Sequence, residues 1–200
     1  MIRYLHLDCE MGGRELKYSL LTAYFLATDE NFNVLGDLSL QLKPDDGNYI
    51  VNGKSMAVNG IDIIQHDKVA VTYKEAKPLL YKFLQNICTG RSVGEPLTPW
   101  VIRLTPVGHG VKGDIEHILD KIISEGSWEQ FCTYHYIDTS VVLQFLRACG
   151  KIPQDTDGSI SALSEYFGIQ GPSVYNWHNA KFDTEMTMKV YEKMVELGKK

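Results

Sequence analysis

The chain has 200 residues, 44% apolar and 22% charged, and a net charge of −5. This is an ordinary globular composition, long enough for one domain over residues 1–200 with a sizeable core, and it lacks the basic surplus of a tight, sequence-specific DNA-binding module. The four cysteines (Cys9, Cys88, Cys132 and Cys149) show no Cys-x-x-Cys pairing and no zinc spacing with histidine, no basic-then-apolar leader opens the sequence, and no apolar run approaches roughly 18 residues, so a reducing, cytoplasmic setting away from membranes is expected.

The first half reads as strand-rich. In MIRYLHLDCEMGG alternate side chains point to opposite faces of a strand: Leu5, Leu7 and Cys9 into a core, and Tyr4, His6, Asp8 and Glu10 the other way. YSLLTAYFLAT (Tyr18 to Thr28) and NVLGDLSLQLKP (Asn33 to Pro44), joined by the polar turn DENFN, complete a three-strand meander. An irregular segment rich in Gly and Asn follows. From Thr72 to Cys88, Ala76, Leu79, Leu80, Phe83, Leu84 and Ile87 recur at helical spacing. Thr89 to Pro99 reads as a loop without an assigned role.

WVIRLTPVGHG (Trp100 to Gly110) predicts a strand closing in a Gly-rich turn, and DIEHILDKIISEG a helix from Asp114 to a stop at Gly126. CTYHYIDT is a fifth strand candidate. The helix SVVLQFLRACG follows, then the short amphipathic helix SISALSEYFGI capped by Ser159. A last helix runs from about Asn179 to Leu197, with Met186, Val190, Met194 and Leu197 on its apolar face. This order predicts an α/β fold on a mixed five-stranded sheet, antiparallel then parallel, flanked by helices.

Three sequence features bear chemistry. Asp8 and Glu10 are like charges on one strand face; they repel, desolvation penalises both, and a hard divalent cation would offset the cost. The competing reading is a pair of solvated carboxylates on an edge strand. Asp114 opens a helix behind Gly108, Gly110 and Gly113, either as a plain cap or beside a closely approaching backbone or ligand. His178 and Asp183 stand five apart where the last helix begins; taken alone, they read as a capping or core histidine and a solvated aspartate.

The succession LDCEM, GHGVKGDIEHI, YHYIDT and HNAKFD, from Asp8 to Asp183, resembles the DEDDh 3′–5′ exonucleases, the proofreading and oligoribonuclease-type members of the ribonuclease-H-like fold. The resemblance implies that Asp8, Glu10, Asp114 and Asp183 bind two Mg2+ ions, with Mn2+ able to substitute, and that His178 is the general base. It also implies substrate contacts at Met11, Gly12, Ile61 and His109, with Ile61 leaning on the terminal bases. The chain departs from the family pattern at Gly110, where an Asn is usual, and at Gly113, where an aromatic is common. The implied activity is hydrolysis of phosphodiester bonds at the 3′ end of single-stranded DNA or RNA, releasing nucleoside 5′-monophosphates.

Other residues have plainer readings. His6 is expected to be a satisfied core residue, and Asp138 to cap the helix after YHYIDT. Tyr134 and Tyr136 fit a half-buried strand, and Glu116 and His117 fall on other helix faces than Asp114. His109 either touches a phosphate or sugar or bonds the turn backbone. Two other function classes are a catalytically weak module that binds nucleic-acid ends or docks a partner, and a small dinucleotide phosphodiesterase.

Overall fold

A computed structural model describes residues 3–89, 102–170 and 178–199. The meander consists of β1 (Arg3–Met11), β2 (Leu20–Asp29) and β3 (Val34–Lys43). The segment read as irregular forms two short helices, α1 (Gly53–Asn59) and α2 (Ile63–Asp67), capped by the side chains of Asn52 and Asp62. Then come β4 (Val71–Thr72), α3 (Tyr73–Thr89), β5 (Leu104–Gly108), α4 (Lys112–Lys121), α5 (Glu125–Trp128), β6 (Ile137–Asp138), α6 (Thr139–Ala148), α7 (Ile160–Tyr166) and α8 (Ala180–Gly198).

The strands form one mixed sheet in the order β4-β3-β2-β1-β5-β6. β1, β2 and β3 pair antiparallel, whereas β5 runs parallel to β1, β6 to β5 and β4 to β3. One face carries the main core. Leu5 and Leu7 of β1 and Phe25 of β2 are buried there with Leu80 and Leu84 of α3 and Ile118 of α4. On the other face, Tyr4 and Val107 pack on Tyr191 of α8, and Tyr24 and Leu26 pack on Ala180 at its start. Behind α8, Val190 and Met194 meet Leu143 and Leu146 of α6 and Leu163 of α7. Both faces of β1 are therefore covered, which explains its nearly continuous apolar run. No helix among the described residues is long and apolar enough to cross a membrane.

Several expected boundaries move. The sheet has six strands rather than five, because Val71–Thr72 adds a short parallel pairing to Leu42 and Lys43 at the end of β3. CTYHYIDT is not a continuous strand: Cys132 makes only an isolated bridge to Leu104, and regular pairing returns at Ile137. Between them the Thr133 hydroxyl donates to the His135 carbonyl at 2.8 Å and the chain leaves the ladder. Tyr134 and Tyr136 are accordingly exposed, at 74% and 42%, not half-buried. The helix expected from Asp114 to Gly126 starts earlier, at Lys112, and breaks after Lys121, where Ile122 and Ile123 turn inward; α5 restarts behind an extended Ser124 and contains Gly126. Of the Thr89–Pro99 loop, Thr89 ends α3 and the rest lies outside the described residues.

The two neighbouring leucines of α3 separate its faces: Leu80 is fully buried, whereas Leu79 is 44% exposed. Leu80→Ala is expected to lower unfolding stability by about 2–5 kcal/mol, and Leu79→Ala to stay within about 0.5 kcal/mol, in urea denaturation. Equal losses would place the core on the wrong face of α3.

Candidate metal and active site

The site begins where the sheet changes direction. β1 pairs with β5 only as far as His6 opposite Val107, so Asp8 and Glu10 lie beyond the parallel pairing while β2 still holds their other edge. Such a switch between neighbouring strands opens a crevice at the carboxyl ends of the parallel strands. The β1–β2 register slips between Glu10 and Met11, with Leu21 as the extra residue, and this irregularity redirects the end of β1. Cys9 points to the core as a buried free thiol, leaving Asp8 and Glu10, both half-buried, on the face covered by α8.

The start of α8 brings the third acid. Asn179 caps the helix, its side chain accepting the Phe182 N–H, and Asp183 lies in the first turn, where the helix dipole favours a carboxylate. His178 takes a left-handed conformation (φ 68°), and its backbone N–H donates to Asp183 Oδ2 at 3.0 Å. That bond fixes the carboxylate so that one oxygen is committed. The other, Oδ1, is buried and has no hydrogen-bond partner among the described residues. Carboxylate oxygens of Asp8, Glu10 and Asp183 all lie within 4.8 Å of one another.

Asp114 stands beside this group rather than within it. It is 6% exposed, in the first turn of α4, where the backbone N–H groups of Cys9 and of Asp114 itself favour its charged form against burial. Its charge is nevertheless felt at Asp8. Thus three of the four expected ligands converge, and the fourth stands beside them, close enough for its charge to act on Asp8.

Burial and mutual repulsion hold these acids toward their neutral forms. Glu10 is pushed up to about 7, first by desolvation and then by the charge of Asp183. Asp183 rises to about 6 through desolvation, opposed by the N–H of His178. Asp8 and Asp114 are both raised, again chiefly by desolvation. An all-oxygen donor set, an orphaned buried oxygen and carboxyls displaced above their usual range fit a site for hard divalent cations such as Mg2+ or Mn2+.

The remaining predicted positions are spread around this cluster. Met11 ends β1 and Gly12 follows it; the Gly12 N–H donates to the Ser19 carbonyl, and the Gly12 carbonyl accepts the Asn52 N–H. Gly12 and Gly13 have no room for a side chain: a Cβ on Gly12 would lie 2.7 Å from the Ile50 carbonyl, and one on Gly13 2.3 Å from the Tyr18 ring. Ile61 is half-buried between α1 and α2. His109 places Nδ1 2.8 Å from Thr139 Oγ1, and the Thr139 hydroxyl donates to the Gly108 carbonyl, so Nδ1 is the donor and Nε2 is left as an acceptor.

Asp138 caps α6 as expected, and its Oδ1 also takes the Gly110 N–H, tying β6 to the turn that leads into Asp114. His6 bonds Thr28 Oγ1 through Nε2, but its Nδ1 is buried without a partner, so it is only half satisfied. Glu116 pairs with Lys112, and His117 binds the carbonyls of Gly113 and Glu15; neither joins the acids. Sequence reading missed the cleft beside Glu10, lined by Arg14, Tyr18, Lys54 and Val58 among others. The only cue was a basic residue directly after Gly-Gly.

The raised carboxyls set a pH signature. A group whose folded pKa exceeds its unfolded value favours folding while protonated and loses that contribution as pH rises through the folded value. His6, lowered to about 3 by burial, acts oppositely, but its effect is complete above its ordinary 6.5. In EDTA the Tm is therefore expected to fall between about pH 6.5 and 8.5, and Mg2+ is expected to raise Tm more at the upper end. An Mg2+ increment equal at both ends, by thermal denaturation, would contradict a cation among these acids.

The sequence matches no protein-family profile and no curated protein. Solved structures do match. The chain resembles E. coli exonuclease I in complex with a dT13 oligonucleotide, with TM-score 0.72 and 16% identity over 96% of this chain and 41% of that one. A moderately thermophilic exonuclease I from Methylocaldum szegediense gives TM-score 0.71 and 16% identity over 98% and 41%. A further exonuclease I structure gives 0.70 and 17% over 98% and 41%. The chain spans about two-fifths of the length of these proteins. Its fold is the ribonuclease-H-like architecture found in exonuclease I.

Proposed function

We propose that the chain is a metal-dependent 3′–5′ exonuclease that hydrolyses the terminal phosphodiester of single-stranded DNA or RNA and releases nucleoside 5′-monophosphates. The observation that carries this reading is the convergence of Asp8, Glu10 and Asp183 within 4.8 Å, with Asp183 Oδ1 buried and unpartnered. The fold shared with exonuclease I supports it.

In this reading Asp8, Glu10 and Asp183, joined by Asp114, hold two Mg2+ or Mn2+ ions. When bound, such ions neutralise the phosphate charge, acidify a water and steady the leaving oxygen. The chain's own groups do the rest. His178 takes the proton of the attacking water on its imidazole, and its backbone bond to Asp183 keeps base and ligand in step. Met11 and Gly12 border the terminal nucleotide, with Ile61 against its base. His109, with Nε2 as an acceptor, suits a sugar hydroxyl better than a phosphate.

Asp183→Asn is expected to abolish Mg2+-dependent cleavage while raising the Tm in EDTA, because it removes a repelling acid. Full activity in this variant would remove Asp183 from the site. His178→Ala is expected to lower kcat by roughly 10²–10⁴-fold with Mg2+ affinity little changed; an unaltered pH–rate profile would exclude it as the base. Digestion of end-labelled DNA and RNA, from dinucleotides to about twenty nucleotides, with and without EDTA, separates the alternatives. Stepwise shortening from the 3′ end supports the exonuclease. Cleavage confined to dinucleotides indicates a dinucleotide phosphodiesterase, and binding without products a recognition module.

A further inference from the structure

Beside the acids lies a cleft of about 480 Å³ that extends past Glu10 and Met11 to Arg14 and Lys54, two residues no step above uses. Glu10 and Met11 of β1 form one end, Arg14 and Tyr18 come from the β1–β2 loop, and Lys54 and Val58 come from α1. Arg14 and Lys54 are exposed, and neither makes a hydrogen bond or ion pair to another described residue. Other cations nearby are committed: Lys17 pairs with Glu15 at 2.9 Å, which also occupies the other acid of the cleft wall. Two cations with no partner among the described residues thus line a cavity that Glu10, one member of the acidic cluster, also lines.

The backbone carrying Arg14 is fixed. Gly12 and Ser19 are bonded across the base of the loop at 2.8 Å, Asn52 donates to Gly12 at 2.8 Å, and His117 holds the Glu15 carbonyl at 3.3 Å from α4. The Asn59 side chain ties α1 to the Met11 carbonyl at 3.3 Å. Val58 is 52% exposed and adds apolar surface to the same cavity. Cations on a fixed frame beside exposed apolar surface match a single strand, which alternates charged phosphates with stackable bases.

We infer that Arg14 and Lys54 form a subsite for a backbone phosphate upstream of the scissile bond, making the chain select oligonucleotides over single-nucleotide esters. The inference rests on the exonuclease reading for what is cleaved, but strand binding in the cleft can be measured without cleavage. Arginine pairs with a phosphate through two parallel N–H groups and lysine acts as a point charge, so Arg14 is the stronger partner.

The test uses the full chain, its Arg14→Gln and Lys54→Gln variants, a short thymidine oligonucleotide, and the p-nitrophenyl ester of thymidine 5′-monophosphate, which carries only the phosphate that the acids would engage. Each substitution is expected to raise KM for the oligonucleotide roughly three- to five-fold and leave turnover of the ester unchanged. With Ca2+ replacing Mg2+ to withhold cleavage, the slope of log binding constant against log salt should become shallower by about 0.7 per variant. Unchanged KM and salt slope in both variants, with the ester still cleaved, overturn the inference and leave the nuclease reading intact. A wild-type chain that cleaves neither substrate yet binds the strand with a salt slope that the variants reduce removes the nuclease reading and supports the subsite. Absence of strand binding overturns the subsite outright.

Discussion

Like-charge repulsion at the end of β1 is the constraint around which the molecule is arranged. Asp8, Glu10 and Asp183 keep carboxylate oxygens within 4.8 Å, with Asp114 close behind and no basic side chain paired with any of them among the described residues. In a surface loop such a group would spread apart. Here it cannot, because the acids are carried by three parts of a packed frame. Asp8 and Glu10 are fixed by the β1–β2 ladder, Asp183 by the α8 cap and the His178 N–H, and Asp114 by the first turn of α4. The core under β1 therefore stabilises an arrangement that its charges oppose, and the unmet charge is what a divalent cation would satisfy.

The two faces of β1 divide these tasks. Leu5, Leu7 and Cys9 belong to the main core with α3 and α4, which holds the strand in place whatever happens at the site. The opposite face carries Tyr4 and His6 under α8 and then, without a break, Asp8 and Glu10. The transition from packing to chemistry falls where β5 stops pairing, since from there one edge of the strand has no neighbouring strand. Asp114, in the first turn of α4, comes beside that edge, where the Cys9 N–H favours its charged form. The glycines after β1 continue the same logic: Gly12 and Gly13 let the β1–β2 loop lie against Ile50, Asn52 and Tyr18, which builds the cleft beside Glu10.

Much of this was legible from residue order. Alternation in β1 told the core face from the acidic face, because a strand's period of two leaves no other choice. The meander and the last helix were readable from long, regular patterns, and Asn52 and Asp62 show why the Gly- and Asn-rich stretch was not: seven- and five-residue helices carry too little periodicity to register, although their caps are ordinary. CTYHYIDT misled because aromatic alternation mimics a half-buried strand, whereas Tyr134 lies on an uncovered rim.

By itself the sequence determined which residue types were available for chemistry and which face of β1 they share, since both follow from side-chain identity and strand geometry. Tertiary structure alone decided how near the acids come. Asp183 is 173 positions from Glu10 in the chain, and its distance from Asp8 and Glu10 depends on how α8 crosses the sheet and on a left-handed His178 that no local pattern announces. It also decided that Asp114 stands beside the tightest group rather than within it, and that Arg14 and Lys54, 40 positions apart, face one cleft. Those are outcomes of packing between elements distant in sequence, where local propensity carries no information.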